Sequence, residues 1–179
     1  MVVRARCNAL LTDDQNQTVQ QVEMNGGKVQ TISGSFQATL DDIQIFNEQG
    51  IPSDIIFVGE YILLKIRVRV NEHIEKLVFG YMLKDRLGLP IFGTTSEDNS
   101  VKLLEIPSTS TIDFQVRFCA NLGPGTYSIS TALAKGKTHL SGNLEWRDRA
   151  AIFTVVNRMK SDFVGVVWLE STMTAVISS

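Results

Sequence analysis

The sequence contains very few of the residues from which metal sites and disulfide networks are built. Its 179 residues include two cysteines, Cys7 and Cys119, and two histidines, His73 and His139. Cys7 lies in a polar N-terminal stretch and Cys119 at the end of a predicted strand, so a disulfide framework is not expected. No Cys or His pair has the spacing of zinc ligands. We therefore expect free thiols, no metal site and no cofactor.

The chain also lacks an excess of charge of either sign and any long apolar run. It has 17 Lys and Arg residues against 19 Asp and Glu residues, a formal net charge of -2. This balance disfavours nucleic acid and anionic membrane surfaces as partners. No apolar run approaches the roughly 20 residues that span a bilayer, and residues 1–7 lack the apolar segment of a signal peptide. We expect a cytoplasmic protein that does not bind nucleic acid.

One motif is similar to the end of a nucleotide-binding P-loop but lacks the other parts of that loop. Gly136-Lys137-Thr138 matches the Gly-Lys-Thr of the motif, whereas Thr131 occupies the position of its first glycine. The residues that follow, 139–143, have no helical periodicity, although a P-loop leads into a helix. We interpret the tripeptide as a turn and expect no ATP binding.

Beyond residue 35, apolar and polar residues alternate with a period of two, which is typical of strands with one buried face. The clearest run has Ile62, Leu64, Ile66, Val68 and Val70 on one side and Tyr61, Lys65, Arg67 and Arg69 on the other. Further strands are predicted at 112–118 and 127–133, and near 38–46, 75–84, 101–106, 150–156 and 163–169. Pro52, Pro90, Pro107 and Pro124 all fall outside the strand interiors, where a missing N–H would break a ladder.

Many short strands without a convincing long helix predict an all-β protein, an immunoglobulin-like two-sheet antiparallel β-sandwich. Tyr127 opens a strand after the turn Gly123-Pro124-Gly125, two residues before Ile129. This pattern predicts the tyrosine corner of immunoglobulin-like domains, with Ile129 in place of the usual cysteine.

Residues 1–34 are rich in Gln, Asn and Asp, and we expect a linker or N-terminal arm there, followed by a β-sandwich domain over 35–179. Within the arm, Thr12-Asp13-Asp14-Gln15 is a possible capping box for a short helix that carries Val19 and Val22. A disordered arm is the alternative.

Four segments carry a resemblance to a known family: "FGYMLKDRLGLPIFGT" from Phe79 to Thr94, "LGPGTYSISTALA" from Leu122 to Ala134, "LEWRDRAAIFTVVN" and "DFVGVVWL". Over roughly residues 36 to 170 the chain resembles the C-terminal domain of Wzt, the nucleotide-binding subunit of ABC transporters that export O-antigen polysaccharide. One departure is Gly93-Thr94-Thr95-Ser96, where family members often read Gly-Thr-Asn-Thr.

The resemblance implies a non-enzymatic carbohydrate-binding domain that recognises finished, usually end-modified O-antigen polysaccharide before export. It implies an upstream ATPase domain, a membrane subunit of the transporter as partner, and a cytoplasmic location at the inner face of the inner membrane. A protein-interaction or adhesion-type sandwich without a sugar ligand is the alternative. A weaker alternative is a carbohydrate-active enzyme that uses Glu145 and Asp148, for which a solvated loop is the simpler interpretation.

The alternation gives the predicted sandwich two different outer faces. One face is densely charged and is expected to be solvated: Lys65, Arg67, Arg69, Asp113 and Arg117. The other is smooth and partly apolar, and includes Val78, Ala132, Ile152 and Val156. On this face we expect a glycan to contact Gly80, Met82, Lys84, Ser128, Ser130, Trp146 and Thr154. Short side chains would let a sugar ring approach, while Trp146 would supply an aromatic wall.

The smooth face has other possible occupants. A partner chain or the C-terminal segment of the chain itself is the alternative cover for it, and Trp146 could instead be a lid over one end of the core.

The segment 162–179 continues after the sandwich strands are complete, and we expect an extra strand there. A surplus strand needs a sheet edge to pair with. We therefore predict a homodimer with exchanged C-terminal strands and with Val164, Val166 and Trp168 in its interface. Pairing within the same chain is the alternative.

Overall fold

The computed structural model describes residues 10–11, 18–23, 29–136 and 142–178. The strands in these ranges are β1 (Leu10–Leu11), β2 (Thr18–Glu23), β3 (Val29–Gly34), β4 (Ala38–Phe46), β5 (Ile55–Phe57), β6 (Tyr61–Val70), β7 (Ile74–Lys84), β8 (Pro90–Thr95), β9 (Leu103–Ile106), β10 (Thr111–Cys119), β11 (Gly125–Ala134) and β12 (Asn143–Val156). Over the same ranges the chain forms no helix long and apolar enough to cross a membrane.

The strands form two sheets, and this confirms the predicted all-β sandwich. The smaller sheet has the order β10-β6-β4, and the larger has the order β1-β2-β3-β12-β11-β7-β8, with β5 added to β12 and β9 to β7. All the pairs are antiparallel except β5 with β12, which is parallel. β5 and β12 are far apart in the chain, so they are not the two arms of a hairpin. An antiparallel orientation is therefore not imposed on them.

The core lies between the two sheets and is built from the side chains that the alternation predicted to be buried. Ile62, Leu64, Ile66, Val68 and Val70 on β6 are each at most 1% exposed. They share one cluster with side chains of β7, β11 and β12. Each such side chain stabilises the fold by about 1.5–3 kcal/mol relative to an exposed position.

One predicted strand and one possible helix differ from the structure. Residues 163–169 form no strand; only Val167 makes an isolated bridge, with Leu122. Val19 and Val22 lie in β2 rather than in a helix. Within the linker or N-terminal arm expected at 1–34, the described residues include β2, which pairs with β3, and β3, which also pairs with β12.

Several sequence predictions concern residues outside the described ranges. They are Cys7, the capping box at 12–15, Lys137, Thr138 and His139. The expectation that ATP does not bind therefore stays a prediction.

Buried Glu145 and half-buried Arg147 tie β12 of the larger sheet to β4 of the smaller one. The Glu145 side chain is 2% exposed, and its Oε1 accepts hydrogen bonds from Arg147 Nε at 3.0 Å and from the Leu40 backbone N–H at 3.2 Å. Arg147 also donates to the Leu40 carbonyl at 2.9 Å. Burial raises the pKa of the Glu145 carboxyl, and the charge and hydrogen bonds of Arg147 only partly offset this.

The hydrogen bond expected of a tyrosine corner is present. The Tyr127 hydroxyl donates to the Gly123 carbonyl at 2.8 Å, four residues upstream. The side chain is 3% exposed, and its ring stacks on Phe153 with the centroids 5.8 Å apart. This bond fixes the turn that leads into β11, which lies between β12 and β7 in the larger sheet.

We expect Tyr127→Phe to lower the free energy of unfolding by about 0.5–1.5 kcal/mol, because it leaves the Gly123 carbonyl without its partner while keeping the ring. Urea denaturation measures this change. Tyr61→Phe is the matched control, since Tyr61 is 44% exposed and its ring faces Arg117. Equal losses for the two variants would contradict a role for the corner hydrogen bond.

Candidate glycan-binding face

A row of small side chains crosses the outer face of the larger sheet beside Trp146. Trp146 on β12 is opposite Ala132 on β11, which is opposite Gly80 on β7, which is opposite Thr95 on β8. Met82 and Ser130 form the next pair along β7 and β11. The sheet register therefore brings together four of the predicted carbohydrate-binding residues, Gly80, Met82, Ser130 and Trp146.

These residues line a groove of about 290 Å³, which we call the first groove. Its lining residues are Val78, Gly80, Tyr81, Met82, Gly93, Thr94, Thr95, Asp98, Ser130, Ala132, Ala134, Gly136 and Trp146. Side-chain hydrogen bonds hold the wall opposite Trp146. The Thr95 hydroxyl donates to Asp98 Oδ2 at 2.7 Å, and the Asn99 amide donates to the Thr94 hydroxyl at 3.0 Å. The resemblance motif at 93–96 contributes to this wall, but the sequence reasoning assigned it no binding residue.

A second groove of about 320 Å³ continues along the same face. Its lining residues are Lys84, Asp85, Arg86, Gly88, Thr126, Tyr127, Ser128, Asp148, Arg149 and Ile152. Two predicted residues, Lys84 and Ser128, therefore line this groove rather than the first one. Thr154 is on the same face opposite Thr126 but lines neither groove.

The boundary between the two grooves is an ion pair that the sequence reasoning missed. Lys84 Nζ lies 2.8 Å from Asp148 Oδ1, and the Ser130 hydroxyl donates to the same oxygen at 2.6 Å. Lys84 Nζ is also 5.5 Å from the centroid of the Trp146 ring. Burial raises the pKa of the Asp148 carboxyl, but hydrogen bonds from Lys84 and Ser130 and the charges of Lys84 and Arg149 outweigh it and leave this pKa lowered. Ser130 is itself buried, with 1% of its surface exposed. Its hydrogen bond therefore holds the Asp148 carboxylate in place.

A β-bulge brings Asp148 to this boundary. Ile129 pairs with Ala151 and Thr131 with Arg147, which leaves residues 148–150 opposite Ser130 alone. Within the bulge Arg149 has a φ of 50°, which is uncommon for a residue other than glycine. The solvated loop expected for Glu145 to Asp148 is therefore wrong, because these residues lie within β12.

Glu145 and Asp148 lie on opposite faces of β12. The Glu145 carboxylate is directed into the sandwich towards Leu40, whereas the Asp148 carboxylate meets Lys84 on the outer face. A glycosidase pair must flank one bound sugar. These two carboxylates cannot do so in this arrangement.

The family model of the Wzt C-terminal domain matches residues 29–169 of the chain. The chain belongs to the Wzt C-terminal domain family. A solved structure, the crystal structure of the C-terminal domain of Wzt, has a TM-score of 0.72 and 20% identity, and the match covers 82% of this chain and 89% of that chain. At this identity the likeness shows the shared fold alone. The family membership supports a role with the O-antigen ABC transporter.

Other comparisons add no argument about function. A Niemann-Pick type C2 protein from Japanese carpenter ant has a TM-score of 0.46 and 12% identity, over 66% of this chain and 92% of that chain. No curated protein matches the chain.

In this member of the Wzt C-terminal domain family, the charged outer face of the smaller sheet is solvated as predicted. Arg67 pairs with Asp113 at 2.8 Å and Arg69 with Asp41 at 2.8 Å. All four side chains are more than a third exposed. These four residues satisfy one another's charges, although Arg67 and Asp113 also line a groove of about 400 Å³ on this face, without an aromatic platform like Trp146.

The sandwich is open along one side, a feature that the sequence reasoning missed. The edge strands β8 and β10 leave a cavity of about 540 Å³ between the sheets, which we call the inter-sheet cavity. Its aromatic lining residues are Phe79, Tyr81, Phe92, Phe114 and Phe118. Phe79 stacks on Phe114 with the centroids 4.5 Å apart, and burial raises the pKa of the Tyr81 hydroxyl.

The C-terminal segment of this Wzt C-terminal domain is partly attached to its own chain. The Gly123 N–H donates to the Val166 carbonyl and the Trp168 N–H donates to the Asn121 carbonyl, each at 3.0 Å. Trp168 is partly buried against the core and meets Phe163, whereas Val164 is 103% and Val166 47% exposed. Within the described residues, no backbone group of 169–178 is hydrogen-bonded.

Proposed function

We propose that this domain binds O-antigen polysaccharide through the outer face of the larger sheet and performs no catalysis. The observation that carries the proposal is the first groove, where the Trp146 ring stands beside a floor of Gly80 and Ala132. Carbohydrate sites combine an apolar platform for the C–H face of a ring with a few polar groups that fix orientation. Thr94, Thr95 and Asp98 on the opposite wall are suitable polar groups.

The expected affinity is modest. Each neutral hydrogen bond contributes about 0.5–1.5 kcal/mol net, so a few contacts give binding nearer micromolar to millimolar than nanomolar. Family membership supports the following proposal about the domain's location and partners. The domain works in the cytoplasm at the inner face of the inner membrane, attached to an upstream ATPase domain and in complex with the membrane subunit.

We expect Trp146→Ala to weaken polysaccharide binding at least about 10-fold, equivalent to 1.4 kcal/mol, because the stacking platform is lost. Isothermal titration with O-antigen polysaccharide from the source organism measures the change. Arg67→Glu on the charged face is the matched control and should bind as the parent does. If Trp146→Ala binds normally while a folded Arg67→Glu variant does not, the binding face is the other sheet. If the parent binds no glycan on an array, the alternative of a protein-interaction sandwich is favoured.

We also propose a homodimer in which residues 169–178, the C-terminal tail, pair with β10 of a second copy. Within the described residues β10 pairs with β6 alone, so its other edge is open. The antiparallel pair Leu122–Val167 lies just beyond β10. That pair lies within one chain, and we propose that the tail takes the equivalent register on β10 of the second copy, which puts Met173 opposite Val116 and Ile177 opposite Ile112 of that copy.

The alternation of apolar and polar residues in the tail suits a strand at the open edge of β10. In the continued register, Leu169, Met173 and Ile177 share the side of Phe118, Val116 and Ile112, which face the sandwich interior. Thr172 and Thr174 would lie on the charged side. On its own chain the tail leaves this edge open, with Met173 96% and Ile177 97% exposed, so a second copy is the occupant that supplies the strand. Val164 and Val166 stay predicted interface residues, whereas Trp168 already packs on its own chain.

A further inference from the structure

The two grooves are consecutive stretches of one surface. Along β11, Ala134, Ala132 and Ser130 line the first groove, and Ser128 and Thr126 line the second. From Ala134 to Thr126 this is about 26 Å at roughly 3.3 Å per residue. The combined length exceeds what one monosaccharide ring can fill.

The second groove offers hydrogen-bond donors but no aromatic platform comparable to Trp146. Arg86 and Arg149 line it, and within the described residues neither guanidinium is hydrogen-bonded. Ser128 and Thr126 add hydroxyl groups. This chemistry suits the hydroxyl and ring oxygens of a further sugar residue, rather than an isolated apolar ligand.

Asp148 lies between the two grooves, and its carboxylate can accept further hydrogen bonds. Lys84 and Ser130 both donate to Oδ1 of Asp148. Within the described residues Oδ2 accepts none, and the side chain is 33% exposed. A carboxylate accepts about four hydrogen bonds in all. Oδ2 is therefore available to hydroxyl groups of a ligand that crosses the boundary.

The backbone that carries Asp148 is held in an unfavourable conformation. Arg149, the next residue, has a φ of 50° within the bulge, and β-bulges often re-aim a side chain beside a binding site. A regular ladder would put one residue of β12 opposite Ser130, whereas here three residues occupy that length. The extra chain length lets the Asp148 carboxylate reach both Lys84 and Ser130.

We propose that this face binds a glycan segment of at least two sugar residues, one in each groove, and that Asp148 accepts hydrogen bonds from hydroxyls of the segment where it crosses between them. This inference rests on the proposed function and adds the minimum length of the ligand and the residue at its crossing point. Lys84 and Ser130 act as positioning residues that fix Oδ1 and direct Oδ2 towards the ligand.

The test is a titration of the parent and two variants with fragments of defined length. O-antigen polysaccharide of the source organism is hydrolysed with mild acid and separated into monosaccharide, disaccharide and longer fractions. We expect fragments of two or more residues to bind the parent at least about 10-fold more tightly than the monosaccharide fraction. Ser128→Phe, which fills the second groove, should remove this gain and leave monosaccharide binding unchanged. Asp148→Asn should reduce the gain about 10-fold.

Gln115→Phe is the matched control, because Gln115 is exposed on the opposite sheet, and this variant should bind every fraction as the parent does. Thermal unfolding establishes that each variant is folded. If Asp148→Asn unfolds, Ser128→Phe still tests the second groove.

The inference and the proposed function fail in different ways. Equal affinity of the parent for all fractions, or an unchanged gain in Ser128→Phe, would overturn the inference while Trp146→Ala still weakens binding. If no fraction binds and Trp146→Ala has no effect, the proposed function itself is wrong.

Discussion

Replacing Arg147 with alanine should lower the free energy of unfolding by about 3 kcal/mol. Removing one partner of a buried ion pair leaves the other charge uncompensated, which costs about 3–5 kcal/mol. The lower end applies because the Arg147 side chain is 21% exposed, while that of Glu145 is 2% exposed. The change also removes the donor to the Leu40 carbonyl. Urea denaturation at neutral pH measures the loss.

Two further variants separate the charge effect from general loss of packing. Glu145→Gln combined with Arg147→Ala keeps an acceptor for the Leu40 N–H but removes the buried charge, so it should be more stable than Arg147→Ala alone. Arg67→Ala breaks an exposed ion pair on the neighbouring sheet and should have a far smaller effect. A double variant no more stable than Arg147→Ala would contradict the role of the Glu145 charge.

The same pair predicts how stability depends on pH. The pKa of Glu145 is raised in the folded state, so between its ordinary value and the raised value the folded protein binds more protons than the unfolded chain. The contribution of this group to stability therefore falls as pH rises through that window. Arg147→Ala removes the groups that lower this pKa, so its stability deficit should shrink as the pH is brought down towards the ordinary pKa of glutamate. A deficit that stays constant with pH would show that Glu145 does not titrate in this window.

Period-two alternation was sufficient to predict the strands that have one buried face and one solvent-exposed face. In β6 every second side chain is buried, so its limits and its orientation follow from the sequence. The strands β2 and β3 are different, because they are short and polar and their place depends on pairing with β12. No local pattern encodes a partner more than 100 residues away, as for Ser33 and Trp146.

The sequence predicted only those residues of the candidate site whose position on the outer face follows from alternation along a strand. Gly80, Met82 and Ser130 follow from alternation along β7 and β11. Asp148 does not, because the bulge interrupts the alternation of β12 and made its first half look like a loop. The ion pair with Lys84 depends on cross-strand register, which is set by the fold as a whole.

The inter-sheet cavity lies beside the edge strands β8 and β10. Phe114 and Phe118 alternate with Asp113 and Arg117 along the strand predicted at 112–118, and their side chains pack against the core. They are only partly buried, because no strand within the described residues covers the open edge of β10. Within the described residues, the open edge of β10 and the C-terminal tail without backbone hydrogen bonds are complementary features.

Truncating the chain after Leu169 should convert a dimer to a monomer. The truncation keeps Phe163 and Trp168, which pack on their own chain, and removes the part of the tail that carries Met173 and Ile177. Burying a Met or Ile side chain stabilises by about 1.5–3 kcal/mol, so loss of both from each of the two tails should weaken the dimer by about 6–12 kcal/mol. Light scattering over a concentration series measures the mass.

Point variants test the register of the tail directly. Met173→Asp and Ile177→Asp put a charge on the side that faces the inter-sheet cavity, and each should dissociate the dimer as strongly as the truncation does, since an unpaired buried charge is costly. Thr174→Asp places the same charge on the opposite side of the strand, where it lies near Gln115 and solvent, and should leave the dimer intact. Equal effects of Met173→Asp and Thr174→Asp would refute the register, because only alternation distinguishes the two positions. A parent chain that is monomeric at every concentration, or a truncated chain that is still dimeric, would exclude strand exchange altogether.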